Sequence, residues 1–254
     1  MTRMIDLNAD LGEGCGDDAG LMPYISSCNI ACGGHAGDAE SMAEAVMLAK
    51  LNNVRIGAHP SYPDRENFGR TSMTMRDIDL ETNLLDQMST LKKAAVHYGV
   101  PIVHVKPHGA LYNDALTSEK LAWIVVCSAR EIFPHAAIMG MPNSKLELVA
   151  KQQNRHFIRE GFADRRYTDA GQLVPRVRDG AMIDSDLERC AQALALAEGE
   201  LIQTDTGNTL SLNIDSICIH GDTPNAVQSA RYIKRALEIA SFTVQAHIHG
   251  TSTS

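Results

Sequence analysis

Short apolar runs recur along the chain, and each ends in a cluster of Asp, Glu, His or Lys followed by glycine or proline. Five such runs begin at Ile5, Asn29, Val54, Ile102 and Ser216. Parallel strands buried beneath helices are apolar along their length, and in barrels of strand-helix units the chemistry lies on the loops after the strands. The pattern therefore predicts an enzyme whose polar groups converge on one rim.

Helical periodicity separates these runs. Asp38 is the predicted N-cap of a helix over about 39–51, and Asp77 opens another helix that Gly99 ends. Further predicted elements are helices at 118–130, 144–153 and 226–240, strands at 136–140 and 157–160, and a small hairpin around 205–208. Alternating strands and helices with short connections favour a parallel sheet with right-handed crossovers.

The count of predicted strands is seven. We predict one α/β domain over residues 1–244, a distorted seven-stranded β/α barrel of the TIM type, followed by a flexible tail over 245–254. A doubly wound sheet is the weaker alternative, because such a sheet concentrates polar residues at one switch point, whereas here they follow nearly every strand.

Composition narrows the classes of function. The 254 residues carry a net charge of −8, lack a run of Lys and Arg and are 5% aromatic, which argues against a nucleic acid partner. No segment reaches the roughly 18 apolar residues that span a bilayer, and the first residues lead into a strand rather than a signal-peptide core. We expect a cytoplasmic protein without membrane contact, whose six cysteines, none in a Cys-x-x-Cys pair, are reduced thiols.

A nucleotide site is not expected in this chain. Neither the dinucleotide-binding glycine motif nor the P-loop motif occurs in the sequence. Residues 12–16 are rich in glycine, but Glu13 places an acid where a phosphate loop needs hydrogen-bond donors.

The first candidate residues are acids and histidines that follow strands. Asp10 and Glu13 end the first strand and can act as paired carboxylates or as oxygen ligands; the alternative is a turn residue and a solvated acid. His35 and His59 follow consecutive strands, and each lies beside glycine or proline. They are candidates for bases or metal ligands, and the alternative is that they are structural histidines.

Lys106 and His108 form the sharpest local signal. A lysine at a buried strand end is costly unless it is paired or used, so Lys106 is a candidate to stabilise an oxyanion or a carboxylate. His108 suits general acid or base catalysis near neutral pH. The alternative is a lysine that extends to the rim and a histidine that caps the turn.

Two later clusters add further candidates. Glu160 is a strand-end acid, and Arg165 can bind a substrate carboxylate; the alternative is that Arg165 or Arg166 forms an ordinary ion pair with Asp164. Asp222 follows His220 closely enough to orient its ring, although Asp222 also resembles a helix cap.

The sequence leaves the use of a metal open. No Gly-x-Ser-x-Gly motif occurs, and Cys32 lacks an adjacent base, so a serine or cysteine nucleophile is not expected. An open zinc or manganese site would find enough ligands, but none has the close His-x-x-x-His spacing of a strong signal. These potential ligands are Asp10, His35, His59, His108 and His220.

Five motifs together resemble the LamB/YcsF family, which contains the A subunit of bacterial 5-oxoprolinase. The motifs occupy residues 6–13, 29–38, 57–64, 106–113 and 218–222, and the resemblance runs in order from about residue 5 to 240. It implies a distorted barrel like that of polysaccharide deacetylases. It further implies a subunit that acts with B and C subunits to open 5-oxoproline to L-glutamate as ATP is hydrolysed.

In that setting, partner subunits would bind ATP and this chain would handle the activated ring. The implied catalytic residues are Asp10, Glu13, Lys106, His108, Glu160 and His220. The implied substrate-binding residues are Asn8, His35, His59, Arg165 and Asp222. Two alternatives stay open: a metal-dependent amide hydrolase that acts on an N-acyl sugar without ATP, and a noncatalytic subunit that presents the substrate. A homo-oligomer is compatible with each.

Overall fold

Seven parallel strands close into a barrel in the computed structural model, which describes residues 3–222 and 225–246. The described residues contain ten strands, which are β1 (Arg3–Leu11), β2 (Ser27–Ala31), β3 (Arg55–His59), β4 (Ile102–Val105), β5 (Ala137–Gly140), β6 (Phe157–Phe162), β7 (Ile202–Gln203), β8 (Thr209–Leu210), β9 (Ser216–Ile219) and β10 (Phe242–Val244). Of these, β7 and β8 form a separate hairpin, and β10 pairs with β1 outside the closed ring. β1 to β6 pair in chain order, β6 pairs with β9, and β9 pairs with β1. The predicted seven-stranded α/β barrel is thus confirmed.

Helices cover the outside of the barrel. They are α1 (Asp18–Leu21), α2 (Ala39–Leu51), α3 (Asp77–Tyr98), α4 (Gly109–Thr117), α5 (Glu119–Ile132), α6 (Lys145–Gln152), α7 (Asp186–Glu198) and α8 (Ala226–Ile239). The predicted cap of α2 is present, because Asp38 accepts hydrogen bonds from the backbone of Glu40 and Ser41. The hairpin of β7 and β8 also lies where the turn residues predicted it.

The inside and the outside of the barrel differ in polarity. Along β1, Leu7 and Leu11 belong to the apolar core, while Asp6 and Asn8 reach other strands through hydrogen bonds inside the barrel. Asn8 contacts Glu160 of β6, which is separated from β1 by β9, so this bond crosses the barrel. Alternation along β1 therefore places apolar side chains between strands and helices and polar side chains in a network within the barrel.

Four elements differ from the sequence prediction. α1, α4, α7 and β10 were not predicted. α1 and β10 span four and three residues, which is too short for a periodic signal. α4 starts inside Pro107-His108-Gly109, residues that read as a turn, whereas the Ser185 cap of α7 was a usable signal.

The end of the chain is only partly described. Phe242 pairs with Arg3 of β1, and the backbone N–H of Gln245, the first residue of the predicted tail, donates to the carbonyl of Ile5. The rest of the predicted tail, from 247 onward, lies outside the described residues. Within the described ranges, no helix is both long and apolar enough to cross a membrane.

Candidate active site

A cavity of about 480 Å³ opens where the barrel strands end. Of the predicted site residues, those lining it are Asp10, Glu13, His59, Lys106, His108, Arg165, His220 and Asp222. Asn8, His35 and Glu160 are buried and do not line it. The convergence of loops on one rim explains why residues far apart in sequence meet here.

Lys106 lies buried between two carboxylates. Its Nζ is 2.9 Å from Oδ1 of Asp10 and 2.8 Å from Oε1 of Glu160. Burial alone lowers the pKa of Lys106, but the charges of Asp10 and Glu160 outweigh it and hold the pKa well above its ordinary value. Since Lys106 is 2% exposed, the alternative of a lysine extending to the rim is wrong.

Asp10 is the partner of Lys106 that faces the cavity. Burial alone raises its pKa, but the charges of His59 and Lys106 lower the pKa well below its ordinary value. Oδ2 of Asp10 is 3.4 Å from Nε2 of His59, on the side away from the ammonium contact at Oδ1. An ionised carboxylate with one oxygen directed toward the histidines is thus present at neutral pH.

A second layer beneath the cavity holds these groups in place. Asn8 donates to Oε1 of Glu160 at 3.2 Å, and Asn29 donates to Oδ1 of Asp10 at 2.8 Å. Asn8 is completely buried, so it supports Glu160 and does not make the predicted contact with substrate. Asn29 and His104, which are 2.6 Å apart, were missed, although both are polar residues inside predicted strands.

Tyr112 is a further residue that sequence reasoning missed. It comes from α4, lines the cavity and donates its hydroxyl to Oε2 of Glu160 at 2.9 Å. Both oxygens of Glu160 are therefore occupied, one by Lys106 and Asn8 and the other by Tyr112. Glu160 is completely buried and reaches the cavity only through these partners.

Three histidines surround Glu13. Oε1 of Glu13 is 3.1 Å from Nε2 of His35, 3.3 Å from Nδ1 of His108 and 3.8 Å from Nε2 of His59. The rings of His35 and His108 are stacked with centroids 3.7 Å apart. Gly69 lies against them with φ of +66°, and an added Cβ there would lie 2.8 Å from Cβ of His35, so this turn needs glycine.

The surroundings favour neutral rings at His35 and His108. Burial lowers the pKa of His35, and hydrogen bonding to Glu13 only partly offsets it. Burial, followed by the neighbouring His59 and His35, lowers the pKa of His108 well below its ordinary value. His108 also makes no side-chain cap to α4, so the alternative that it caps the turn is wrong.

His220 is oriented by Asp164 and not by Asp222 as predicted. Nδ1 of His220 lies 2.9 Å from both carboxylate oxygens of Asp164, which also accepts the backbone N–H of His220. Burial alone raises the pKa of Asp164, but the charge of His220 and these hydrogen bonds lower it to about 2. Asp164 is 56 residues away from His220 in sequence, so the local sequence around His220 gives no sign of this contact.

Asp222 instead joins a group of arginines on the cavity wall. It lies 2.6 Å from Nη2 of Arg70 and 3.3 Å from Nη1 of Arg176. The alternative that Asp222 is a helix cap is also wrong, because Asn225 occupies the N-cap of α8. Arg70 and Arg176 were not among the predicted site residues.

Arg165 completes this positive wall. Its Nη2 donates to the carbonyl of Val174, and its buried Nε has no hydrogen-bond partner. Burial, followed by the charge of Arg176, lowers the pKa of Arg165 to about 10. No ion pair of Arg165 with Asp164 forms within the described residues, so that alternative is wrong. The guanidinium is available to an anionic group in the cavity.

Two groups of side chains have the composition of metal ligands. Their ligand atoms lie within 4.8 Å of one another in each group. One contains Glu13, His35, His59 and His108; the other contains Asp10, Cys218 and His220. All six cysteines are free thiols, as predicted.

Comparisons with known proteins agree with this architecture. The A subunit of 5-oxoprolinase from Histophilus somni (strain 129Pt) is 44% identical over 236 residues, 93% of this chain and 96% of that protein. The lactam utilization protein of Thermus thermophilus superposes with a TM-score of 0.90 at 34% identity, covering 96% of this chain and all of that one.

A more distant structure shares the fold alone. A variant of the peptidoglycan deacetylase PdaC from Bacillus subtilis has a TM-score of 0.50 at 10% identity, with 96% of this chain and 87% of that chain covered. The profile of the LamB/YcsF family, by contrast, matches residues 5–251. Given this match and the full-length relatives, the chain belongs to the LamB/YcsF family.

Proposed function

We propose that this chain is the A subunit of an ATP-dependent 5-oxoprolinase, which acts with B and C subunits to hydrolyse 5-oxo-L-proline to L-glutamate. Relatives that match nearly the whole chain are named as the A subunit of 5-oxoprolinase. The observation that carries the proposal is Lys106, held between Asp10 and Glu160 in a cavity that also displays three arginines. Such a cavity suits a small anionic substrate with a carbonyl oxygen that gains charge.

The chemistry explains the need for ATP. A γ-lactam carbonyl is a poor electrophile, and transfer of a phosphoryl group to its oxygen makes the carbonyl carbon reactive. Water then adds to that carbon, the ring C–N bond breaks, and the nitrogen takes a proton to become the amine, which leaves an acyl phosphate. A second water hydrolyses this acyl phosphate to the side-chain carboxylate of glutamate and free phosphate. Since this chain has no phosphate loop, partner subunits bind the ATP in this proposal.

Side chains around the cavity suit the steps that follow activation. Asp10 is ionised and can take a proton from water, while Lys106 stabilises negative charge on oxygen. His220, oriented by Asp164, can donate a proton to the leaving nitrogen. Arg165 and Arg176 face the cavity and can bind the ring carboxylate or the phosphoryl group.

Glutamate release tests this proposal. The purified chain is incubated with 5-oxoproline, with and without ATP and with and without candidate B and C subunits. We expect glutamate only in the complete mixture. Asp10→Asn should lower kcat at least about 100-fold, whereas Asp179→Asn, on an exposed loop, should not.

Three results would contradict the proposal. Partners and ATP that release glutamate without this chain would assign the reaction to the partners. An Asp10→Asn complex with full activity would leave a noncatalytic, substrate-presenting subunit. Release of acetate from an N-acetylated sugar by this chain alone, without ATP, would favour the amide hydrolase alternative, for which the histidine cluster is the supporting observation.

A further inference from the structure

We propose that Glu13, His59 and His108 bind one divalent transition-metal ion, with zinc as the best match, at the edge of the cavity. The three side chains line the cavity, and the atoms that would bind the ion are Oε1 of Glu13, Nε2 of His59 and Nδ1 of His108. Two imidazoles and one carboxylate are a ligand set that zinc and other first-row divalent ions accept.

The hydrogen bonds of the two histidines fix where their protons lie. Nδ1 of His59 is 2.8 Å from the carbonyl oxygen of Lys106, and Nε2 of His108 is 3.0 Å from the carbonyl oxygen of Phe68. A carbonyl oxygen only accepts, so each of these nitrogens carries the ring proton. In neutral rings, the other nitrogen of each histidine therefore presents a lone pair.

These two lone pairs face each other. Nε2 of His59 and Nδ1 of His108 are 2.9 Å apart, and both lie near the same carboxylate oxygen of Glu13. Three electron-rich atoms held this close repel one another unless positive charge lies among them. Only a shared proton or a metal cation can supply that charge at this position.

Distances among the three atoms favour the metal. Zinc binds nitrogen and oxygen at about 2.0–2.2 Å, so ligand atoms at tetrahedral angles lie about 3.3–3.5 Å apart. The separations here are 2.9, 3.3 and 3.8 Å, which bracket that value. A proton shared between the two rings accounts for the shortest separation, whereas one metal ion accounts for all three separations together.

His35 supports this site from behind. Its Nε2 lies 3.1 Å from Oε1 of Glu13, its ring is stacked on His108, and it does not line the cavity. Carbonyl oxygens behind His59 and His108, and His35 behind Glu13, are the kind of outer partners that orient metal ligands. We assign His35 as a positioning residue for Glu13.

The arrangement has the form of a catalytic zinc site. Catalytic sites keep three protein ligands and leave a further position for water or substrate, which here opens into the cavity. When bound, such an ion lowers the pKa of a bound water or polarises a carbonyl oxygen. The inference concerns metal binding by this chain alone and does not depend on the identity of the substrate.

Metal content and affinity test the inference directly. The full chain, freed of any affinity tag and treated with a chelator, is titrated with Zn²⁺ in the presence of a competing chelator, and bound zinc is counted after desalting. We expect about one zinc per chain. Glu13→Gln, His59→Ala and His108→Ala should each weaken binding more than about 100-fold, and His35→Asn should weaken it about 10- to 100-fold.

Control variants separate this site from other histidines. His135→Ala, at an exposed position before β5, should bind zinc like the wild type. A variant with His247→Ala and His249→Ala should do the same, which excludes the residues at the end of the chain. Because His59→Ala and His108→Ala remove buried rings, Glu13→Gln, which preserves shape, decides the outcome if they do not fold.

Co²⁺ gives a second readout. When Co²⁺ replaces zinc, the visible absorption spectrum of the bound ion reports its coordination geometry and its ligands. We expect the wild-type spectrum to indicate nitrogen ligands, and we expect Glu13→Gln to change that spectrum. No stoichiometric zinc in the wild type, or zinc retained at wild-type affinity by Glu13→Gln, would overturn the inference. Either result leaves the glutamate assay unaffected, so the failure of one proposal is distinguishable from the failure of the other.

Discussion

Asp164 illustrates how single residues of this site depend on pH. Its carboxylate is completely buried and has a pKa lowered to about 2, whereas an unfolded Asp titrates near about 3.9. The folded state therefore gains stability from this group above about pH 4 and loses it as the pH falls through the folded pKa. The contribution is roughly 2 kcal/mol by linkage.

Asp164→Asn tests this contribution. We expect a variant that unfolds at lower urea concentration than wild type at pH 6, with a difference in the free energy of unfolding that shrinks toward pH 2. Asp179→Asn, at an exposed position, is the matched control and should follow the wild type. A difference that is constant between pH 5 and 2 would show that the carboxylate is not held ionised by His220.

Sequence reasoning placed residues at strand ends correctly at the rim, and it failed for a residue whose orientation depends on a distant partner. Asp10 lies near the end of β1, and Glu13, Lys106 and His108 follow strands, so their place at the rim could be inferred from the pattern alone. The partner of His220 could not, because proximity in sequence favoured Asp222 over a carboxylate 56 residues away. Distances through space are set by barrel closure, which no local pattern encodes.

At the level of elements, a glycine in β3 makes room for a histidine in β4. A Cβ added to Gly57 would lie 2.1 Å from Nε2 of His104, although φ of Gly57 lies outside the left-handed region. His104 must keep its place to contact Asn29, which in turn supports Asp10. The smallest residue in one strand thus determines the position of a layer beneath the cavity.

Gly57→Ala should lower the free energy of unfolding by about 1–3 kcal/mol, because overpacking forces His104 to move. The same substitution in a His104→Ala background should cost less, since the colliding ring is absent. Urea unfolding of the two single variants and the double variant measures this coupling. Equal costs in the two backgrounds would mean that the contact between β3 and β4 is not the cause.

Apart from α7, whose cap was a usable signal, the elements that sequence reasoning missed share a physical cause. α4 brings Tyr112 to Glu160, yet it begins at Gly109, directly after Pro107 and His108, and these three residues read as a turn. β10 has three residues and is defined by its pairing with β1, so its own sequence carries no strand signal. The other long elements were predictable because their own periodicity identifies them, whereas short ones exist through tertiary contacts.

At the scale of the whole molecule, closure of the barrel joins the first strand to the last barrel strand. β1 pairs with both β2 and β9, so opening either seam exposes the polar network and the apolar core together. We predict that residues 1–244 unfold as one cooperative unit, in line with the single domain expected from the sequence.

Buried thiols report on that cooperativity. Cys28, Cys32 and Cys218 are buried on or just after β2 and within β9, while the other three cysteines are partly exposed. A thiol reagent should modify three cysteines in the native protein and all six at a common urea midpoint, which should match the midpoint seen by circular dichroism. Separate midpoints for Cys28 and Cys218 would instead indicate parts that unfold independently.

The polar interior of the barrel has a consequence for which substitutions β1 tolerates. Residues 5–11 alternate in polarity like a strand with one face in water, yet every one of them is buried. Leu7 packs in the core between the strands and the helices, and Asn8 forms a hydrogen bond inside the barrel. Neither face of β1 therefore tolerates substitutions freely. We expect a saturation mutagenesis scan of β1 to show that consecutive positions all reject most substitutions. The accepted residues should alternate between apolar and polar types along the strand.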